Sequence, residues 1–280
     1  MEFKRLGKST VKIPVLGLGT WGMGGLSSRS FTNDHEAITA LRLGLKLEMS
    51  FVDTAEMYGG GHTEEVVAQA LEGHHDSVFL ATKVSGEHLS YDGVLKSCDM
   101  SLKRLEAKCV DLYQVHWPNS RIPISETMRA MERLVKDGKI RHVGVSNFSV
   151  KQTREAQEAL STVELVSNQV EYSLMQRSIE EDLLPFAERE RIIIIAYSPL
   201  ARGLIPGNSN HEQRMRLIDQ IASKYGKTRV QVALNWLIAK EPVVAIPKAA
   251  NLRHVRENAG AQGWKMLQQD IDALNNGFKD

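Results

Sequence analysis

The run Arg191-Ile192-Ile193-Ile194-Ile195-Ala196 places four isoleucines in succession. Side chains alternate between faces along a strand, so this run is apolar on both faces and belongs to a strand covered on both sides. Shorter apolar runs recur through the chain, each followed by a stretch with the three-to-four-residue period of an amphipathic helix. Counting from Leu16, eight strands alternate with helices: Leu16 to Gly22, Ser50 to Asp53, Val78 to Lys83, Val110 to His116, Arg141 to Val145, Leu165 to Val170, Arg191 to Ala196 and Val243 to Ile246. Short buried strands joined by helices run parallel. Eight of them within 280 residues close more naturally into a barrel than into an open sheet. The expected fold is therefore an α/β (β/α)8 TIM barrel, a single domain spanning 1–280. Ahead of it, Phe3 to Gly7 and Val11 to Val15 flank Gly7-Lys8-Ser9-Thr10 and predict an N-terminal β-hairpin.

Local signals punctuate this pattern. Asn33 or Asp34 starts a helix with Ala37, Ile38, Leu41 and Leu45 inward. Thr63 is expected to cap the next helix, and Ser178 with Glu181 reads as a capping box. Asp137-Gly138 stops a helix with Met128, Met131, Leu134 and Val135 inward. Ala201 to Asn210 reads as a long loop. The glycine-rich stretch Leu16 to Gly22 lacks the spacing of a dinucleotide fingerprint, and no helix starts after it. Its glycines instead suit a short strand that another group approaches closely.

Three consecutive strands end in ionisable residues: Asp53, Lys83 and His116. Tyr58 follows Asp53 by five positions, just before Gly59-Gly60-Gly61. Each residue alone has a structural reading, as a cap, an ion pair or a hydrogen-bonded histidine. Together they would be costly to bury without partners, and they fall on the barrel face where chemistry is placed. The set points to proton transfer. One His and one Asp make a poor zinc site, so no metal is expected.

Bulk properties narrow the partners. A net charge of +1 gives no electrostatic reason to expect nucleic acid or an anionic membrane, and no apolar run approaches the roughly 20 residues of a membrane span. Met1 leads into Glu2-Phe3-Lys4-Arg5 without an apolar signal region. Cys98 and Cys109 have neither metal-ligand nor redox spacing. The expectation is a cytoplasmic protein with reduced thiols, a monomer or weak homo-oligomer.

Six motifs, in order and at barrel spacing, resemble the aldo-keto reductases: Gly17-Leu18-Gly19-Thr20-Trp21, Asp53-Thr54-Ala55-Glu56-Met57-Tyr58, Asp111 to Trp117, Gly144-Val145-Ser146-Asn147-Phe148, Ala196 to Leu200 and Ile246-Pro247-Lys248. The likeness runs from about residue 3 to residue 260 and is nearest the microbial short-loop members. It implies reduction of a carbonyl by NADPH, with NADH also open. It further implies Tyr58 as general acid, Lys83 held by Asp53 to favour the ionised phenol, and His116 orienting the carbonyl and sharing the proton. Ser146, Asn147 and Gln169 match the residues that hold the nicotinamide carboxamide, and Tyr197 the ring stacked on it. Gly19, Thr20 and Trp21 match the approach, and Ser198, Leu200 and Arg202 the pyrophosphate and its cover. Lys248 matches the lysine at the 2′-phosphate, with Glu257 and Asn258 near the adenine. Many relatives have Ser or Thr after that lysine and Arg six places beyond it, whereas this chain has Ala249 and His254, with Arg253 one position early. Trp21 and Trp117, with Met57, would wall the substrate site around Tyr58 and His116. Short loops suggest small aldehydes, dicarbonyls such as methylglyoxal, or sugar-like carbonyls. Two other readings use the same residues: an NADPH-binding regulatory subunit of a channel, and a barrel lyase forming a Schiff base on Lys83.

Overall fold

The computed structural model describes residues 2–205, 207 and 212–279. Strands β1 (Phe3–Arg5) and β2 (Lys12–Pro14) form the expected antiparallel hairpin, with Phe3 opposite Pro14. Strands β3 (Leu18–Gly19), β4 (Phe51–Asp53), β5 (Phe79–Val84), β6 (Val110–Val115), β7 (Ile140–Ser146), β8 (Leu165–Glu171), β9 (Ile193–Tyr197) and β10 (Val243–Ala245) then pair in sequence order, all parallel. The ring closes where Leu16 bridges Ala245 and Gly19 bridges Lys248. Gly17 N–H donates to the Ala245 carbonyl at 2.8 Å, and Ala245 N–H to the Val15 carbonyl at 2.9 Å.

The α-helices are α1 (Asp34–Lys46), α2 (His62–Leu71), α3 (Tyr91–Arg104), α4 (Ile124–Lys136), α5 (Val150–Ala159), α6 (Leu183–Glu190), α7 (Glu212–Tyr225), α8 (Arg229–Ile238), α9 (Leu252–Ala259) and α10 (Gln268–Gly277). Their apolar stripes pack on the outside of the sheet in one large cluster, apart from Ala40 and Val255, which meet Ala249 in a small separate one. A second cluster fills the barrel: Phe51, Ala81, Leu112, Val166, Ile193, Ile195 and Val244 face inward, and Leu6 and Ile13 of the hairpin segment close over them. The hairpin thus seals the N-terminal mouth and leaves the C-terminal mouth for polar side chains. Lys4 fixes it there, donating to the carbonyls of Ile238, Lys240 and Val243 at 2.6, 2.7 and 2.6 Å. Burial pulls the Lys4 ammonium down to about 8.

Several local expectations are corrected. Thr63 does not cap α2: Gly61 occupies the N-cap in a left-handed conformation, and the buried Thr63 hydroxyl donates to the Met23 carbonyl. Ser178 opens a separate 3-10 turn (Ser178–Glu180), and α6 begins at Leu183 without a side-chain cap. A capping box does form at Ser149 and Gln152 and another at Thr228 and Gln231. The isoleucine strand starts at Ile193, because Arg191 closes α6 at φ 56°. The expected loop Ala201 to Asn210 lies partly outside the described residues; within them, Ala201–Gly203 is a 3-10 turn.

The barrel seam explains the glycines after Leu16. A Cβ on Gly19 would lie 2.6 Å from the Ile246 carbonyl oxygen, and one on Gly17 2.7 Å from the Phe51 ring. Gly19→Ala is therefore expected to force the seam apart and cost about 1–3 kcal/mol, measurable by denaturant unfolding; an unchanged midpoint would show that the seam relaxes freely.

Candidate active site

The C-terminal mouth is built from the residues where the strands stop. Asp53 ends β4, Lys83 lies one residue from the end of β5, and His116 follows β6, its N–H extending the ladder to the Val84 carbonyl at 2.9 Å. Asp53 and Lys83 are 2% and 0% exposed, so the charges lie below the solvent surface. Lys83 Nζ donates to Asp53 Oδ1 at 2.5 Å and to the Thr54 carbonyl at 2.8 Å. Asp53 Oδ2 accepts from Gln114 Nε2 at 3.1 Å and from Gln169 Nε2 at 2.9 Å. Four strands thereby converge on one carboxylate, and neither of its oxygens is left without a donor.

Above this pair stands Tyr58, on the loop between β4 and α2. Lys83 Nζ is 3.4 Å from the Tyr58 hydroxyl and 5.0 Å from its ring centre. The His116 ring packs edge-on against the phenol, with centroids 5.5 Å apart. Burial lifts the Tyr58 phenol above its usual value; Lys83 pulls the other way but does not offset it, and Asp53 adds to the rise. Charge alone predicts an ionised phenol, and desolvation overturns that expectation: Tyr58 is a protonated donor. Burial favours the neutral form of Lys83, yet Asp53 and Tyr58 outweigh it and its shift is upward. His116 is pushed down to about 3, first by burial and then by the Lys83 charge, and is neutral at pH 7. Its buried Nδ1 has no hydrogen-bond partner among the described residues.

Of the residues singled out from sequence, all but Lys83 and Arg253 line one cavity of about 930 Å³: Gly19, Thr20, Trp21, Asp53, Tyr58, His116, Trp117, Ser146, Asn147, Gln169, Tyr197, Ser198, Leu200, Arg202, Lys248, His254, Glu257 and Asn258. Lys83 lies beneath its floor. Arg253 is exposed outside the cavity, its guanidinium 3.2 Å from His254 Nε2. Thr20 hangs from the Asp53 carbonyl by its hydroxyl, at 2.9 Å. Ser146 Oγ donates to the Gln169 carbonyl at 2.8 Å. Asn147 donates to the His116 carbonyl and to Ser146 Oγ, both at 3.0 Å, and accepts the Tyr197 hydroxyl at 3.0 Å. Asn147, Ser198, Ala201 and Arg202 have φ of 61°, 47°, 52° and 53°. Left-handed backbone at non-glycine residues costs of order 1–3 kcal/mol each and gathers at ligand sites. At the outer rim Trp21, Met57 and Trp117 are 59%, 47% and 50% exposed, joined by Leu26 at 60%.

Gln114 escaped the sequence reading although it holds Asp53. Its signal was present: it lies two residues before His116, on the same face of a strand. Leu26 and Val230 also line the cavity, and nothing in their types or spacing marks them in advance.

The Aldo/keto reductase family model matches residues 15–276. The chain is 36% identical over 269 residues to methylglyoxal reductase YeaE of Escherichia coli, covering 96% of this chain and 92% of that protein. A thermostable aldo-keto reductase, Tm1743, solved with the inhibitor epalrestat, superposes with TM-score 0.94 at 40% identity, covering 99% of this chain and 100% of the other. An aldo/keto reductase of Klebsiella pneumoniae, solved with NADP and acetate, gives TM-score 0.88 at 36% identity and covers 99% and 95%. With the fold, the strand-end residues and these matches in agreement along its length, the chain belongs to the aldo/keto reductase family and is an oxidoreductase.

Proposed function

We propose that the chain works as one barrel domain that reduces small aldehydes, dicarbonyls such as methylglyoxal, or sugar-like carbonyls to alcohols, using NADPH. One observation carries the reading: a protonated, part-buried Tyr58 hydroxyl 3.4 Å from the Lys83 ammonium, which Asp53 holds at 2.5 Å, on the floor of a cavity that gathers the other site residues except Arg253. When bound, the cofactor supplies a hydride. Tyr58 gives its proton to the carbonyl oxygen as that oxygen gains charge. The Lys83 ammonium then faces the developing phenolate, and a cation fixed in advance in a dry site stabilises such charge without reorganising. Neutral His116 orients the carbonyl by a hydrogen bond and does not share the proton, because burial and Lys83 keep it deprotonated.

The donor set fits a nicotinamide dinucleotide. Ser146, Asn147 and Gln169 bring hydroxyl and amide groups to the cavity for the carboxamide, and the second lone pair of the Asn147 carbonyl remains for it after the Tyr197 bond. Tyr197 supplies the stacking ring. Ser198, Leu200 and Arg202 lie on the strained segment that would cover the pyrophosphate, between Gly19, Thr20 and Trp21 on one side and Glu257 and Asn258 at the adenine end. Lys248, with Arg253 beside His254, concentrates positive charge where a 2′-phosphate would discriminate NADPH from NADH. Trp21, Met57 and Trp117 form an apolar rim for the substrate.

NADPH consumption with methylglyoxal, aromatic aldehydes and sugars tests the reading directly; no turnover across the panel would overturn it. Tyr58→Phe is expected to lose ~10²–10⁴ in kcat, about 3–5 kcal/mol of barrier, while NADPH still binds; near-normal turnover removes Tyr58 from the role. Because the His116 value is about 3 and Tyr58 is raised, kcat should stay level between about pH 5 and 8 and fall only as pH rises beyond the ordinary phenol value of about 10. An acid limb near about 6.5 that disappears in His116→Gln would show a titrating imidazole instead. Lys248→Met should weaken NADPH binding by about 10- to 100-fold, the worth of a hydrogen bond to a charged group, and leave NADH binding unchanged; equal loss for both cofactors would move the phosphate contact elsewhere.

A further inference from the structure

Each strand end that carries Asp53, Lys83 or His116 is followed within three residues by a group bonded to a neighbouring loop. Glu56 N–H donates to the Lys83 carbonyl at 3.2 Å. The Glu56 carboxylate then accepts from Ser85 N–H at 2.6 Å, two residues beyond Lys83. His88 Nδ1 lies 3.0 Å from the same carboxylate oxygen. The next residue, Gly86, gives its carbonyl to Asn119 Nδ2 at 2.7 Å, three residues beyond His116. A Cβ on Gly86 would lie 3.2 Å from the Trp117 carbonyl, so the two loops are already in contact. The Glu56 side chain is only 9% exposed, while His88 is 52% exposed.

These bonds tie the three loops together beyond the strand ends. Tyr58 sits two residues after Glu56 on a segment that ends in three left-handed glycines, with φ of 56°, 59° and 92°. Glycines do not hold such a segment in place by themselves. On its far side Gly59 N–H is bonded to the Leu26 carbonyl at 2.8 Å, and on its near side the depth of the phenol over Lys83 depends on where Glu56 is held. The placement of His116 and Trp117 depends in turn on Asn119.

We propose that Glu56 and Asn119 are positioning residues: through Ser85 and Gly86 they set the separation of the Tyr58 hydroxyl, the Lys83 ammonium and the His116 ring, without touching substrate or cofactor. The proposal rests on the reductase reading above, in which those three groups handle the carbonyl. Tolerances at such sites are narrow, since a displacement of about 1 Å can cost 10²-fold in rate.

The test compares wild type with Glu56→Ala, Glu56→Gln and Asn119→Ala in methylglyoxal reduction at saturating NADPH, together with NADPH binding by fluorescence titration and thermal unfolding. Glu56→Ala and Asn119→Ala are expected to lower kcat by about 10- to 100-fold with unchanged NADPH affinity. Glu56→Gln should recover most of that loss, because its amide oxygen still accepts from Ser85 N–H. Full kcat in the folded Ala variants, or a Gln variant as impaired as Ala, overturns the proposal. If Glu56→Ala does not fold, Asn119→Ala and Glu56→Gln decide it by the same criteria. Absence of carbonyl turnover by the wild type across the aldehyde panel would sink the reductase reading; wild-type turnover matched by the Ala variants sinks only this one.

Discussion

The ion pair between Asp53 and Lys83 is the constraint on which the rest of the mouth depends. Both groups are almost fully buried, and the effective penalty for removing an ion from water is several kcal/mol. Attraction between them offsets this only if the remaining lone pairs and protons find partners. They do: Thr54 and Tyr58 take Lys83 donors, and Gln114 and Gln169 fill the far oxygen of Asp53. Those partners come from β6, β8 and the loop after β4. Only a sheet curled on itself brings β4 and β8 across from one another, so the barrel and the charge pair require each other.

Once the pair is in place, its influence spreads outward by electrostatics. Burial holds His116 neutral, and the same ammonium that makes a phenolate tolerable adds to that effect. Desolvation, the larger effect on Tyr58, keeps the phenol protonated at rest. Two residues whose ordinary values would let them compete for one proton are thus separated into a donor and a neutral hydrogen-bonding group. The separation arises from burial, and the hairpin contributes by sealing the other mouth with Leu6 and Ile13.

The walls of the cavity follow a different logic. Asn147, Ser198, Ala201 and Arg202 hold left-handed backbone, a strain that the bonds of Asn147 to His116, Ser146 and Tyr197 help to fix. The rim carries Trp21, Met57 and Trp117 half exposed to solvent, so apolar surface is left where a substrate would cover it. Floor and rim are therefore built by opposite means, one by pairing the Asp53 and Lys83 charges with donors and acceptors and the other by leaving apolar groups uncovered.

Much of this was legible in the sequence. The double period, two within strands and near four within helices, gave the order and the parallel sense of the elements, because side-chain direction is a local property of the backbone. It also placed Asp53, Lys83 and His116 at strand ends. Local capping signals were less dependable: Thr63 and Ser178 have the right chemistry for caps, but a tertiary acceptor claimed one and a separate turn the other. What no local pattern contains is which strands face each other across the barrel, and so Gln114 and the Glu56 bond to Ser85 went unread. The direction of the Tyr58 shift was likewise decided only by the fold, since residue types report which charges are near one another along the chain, whereas burial, set by the packing of distant elements, determines how strongly each is felt.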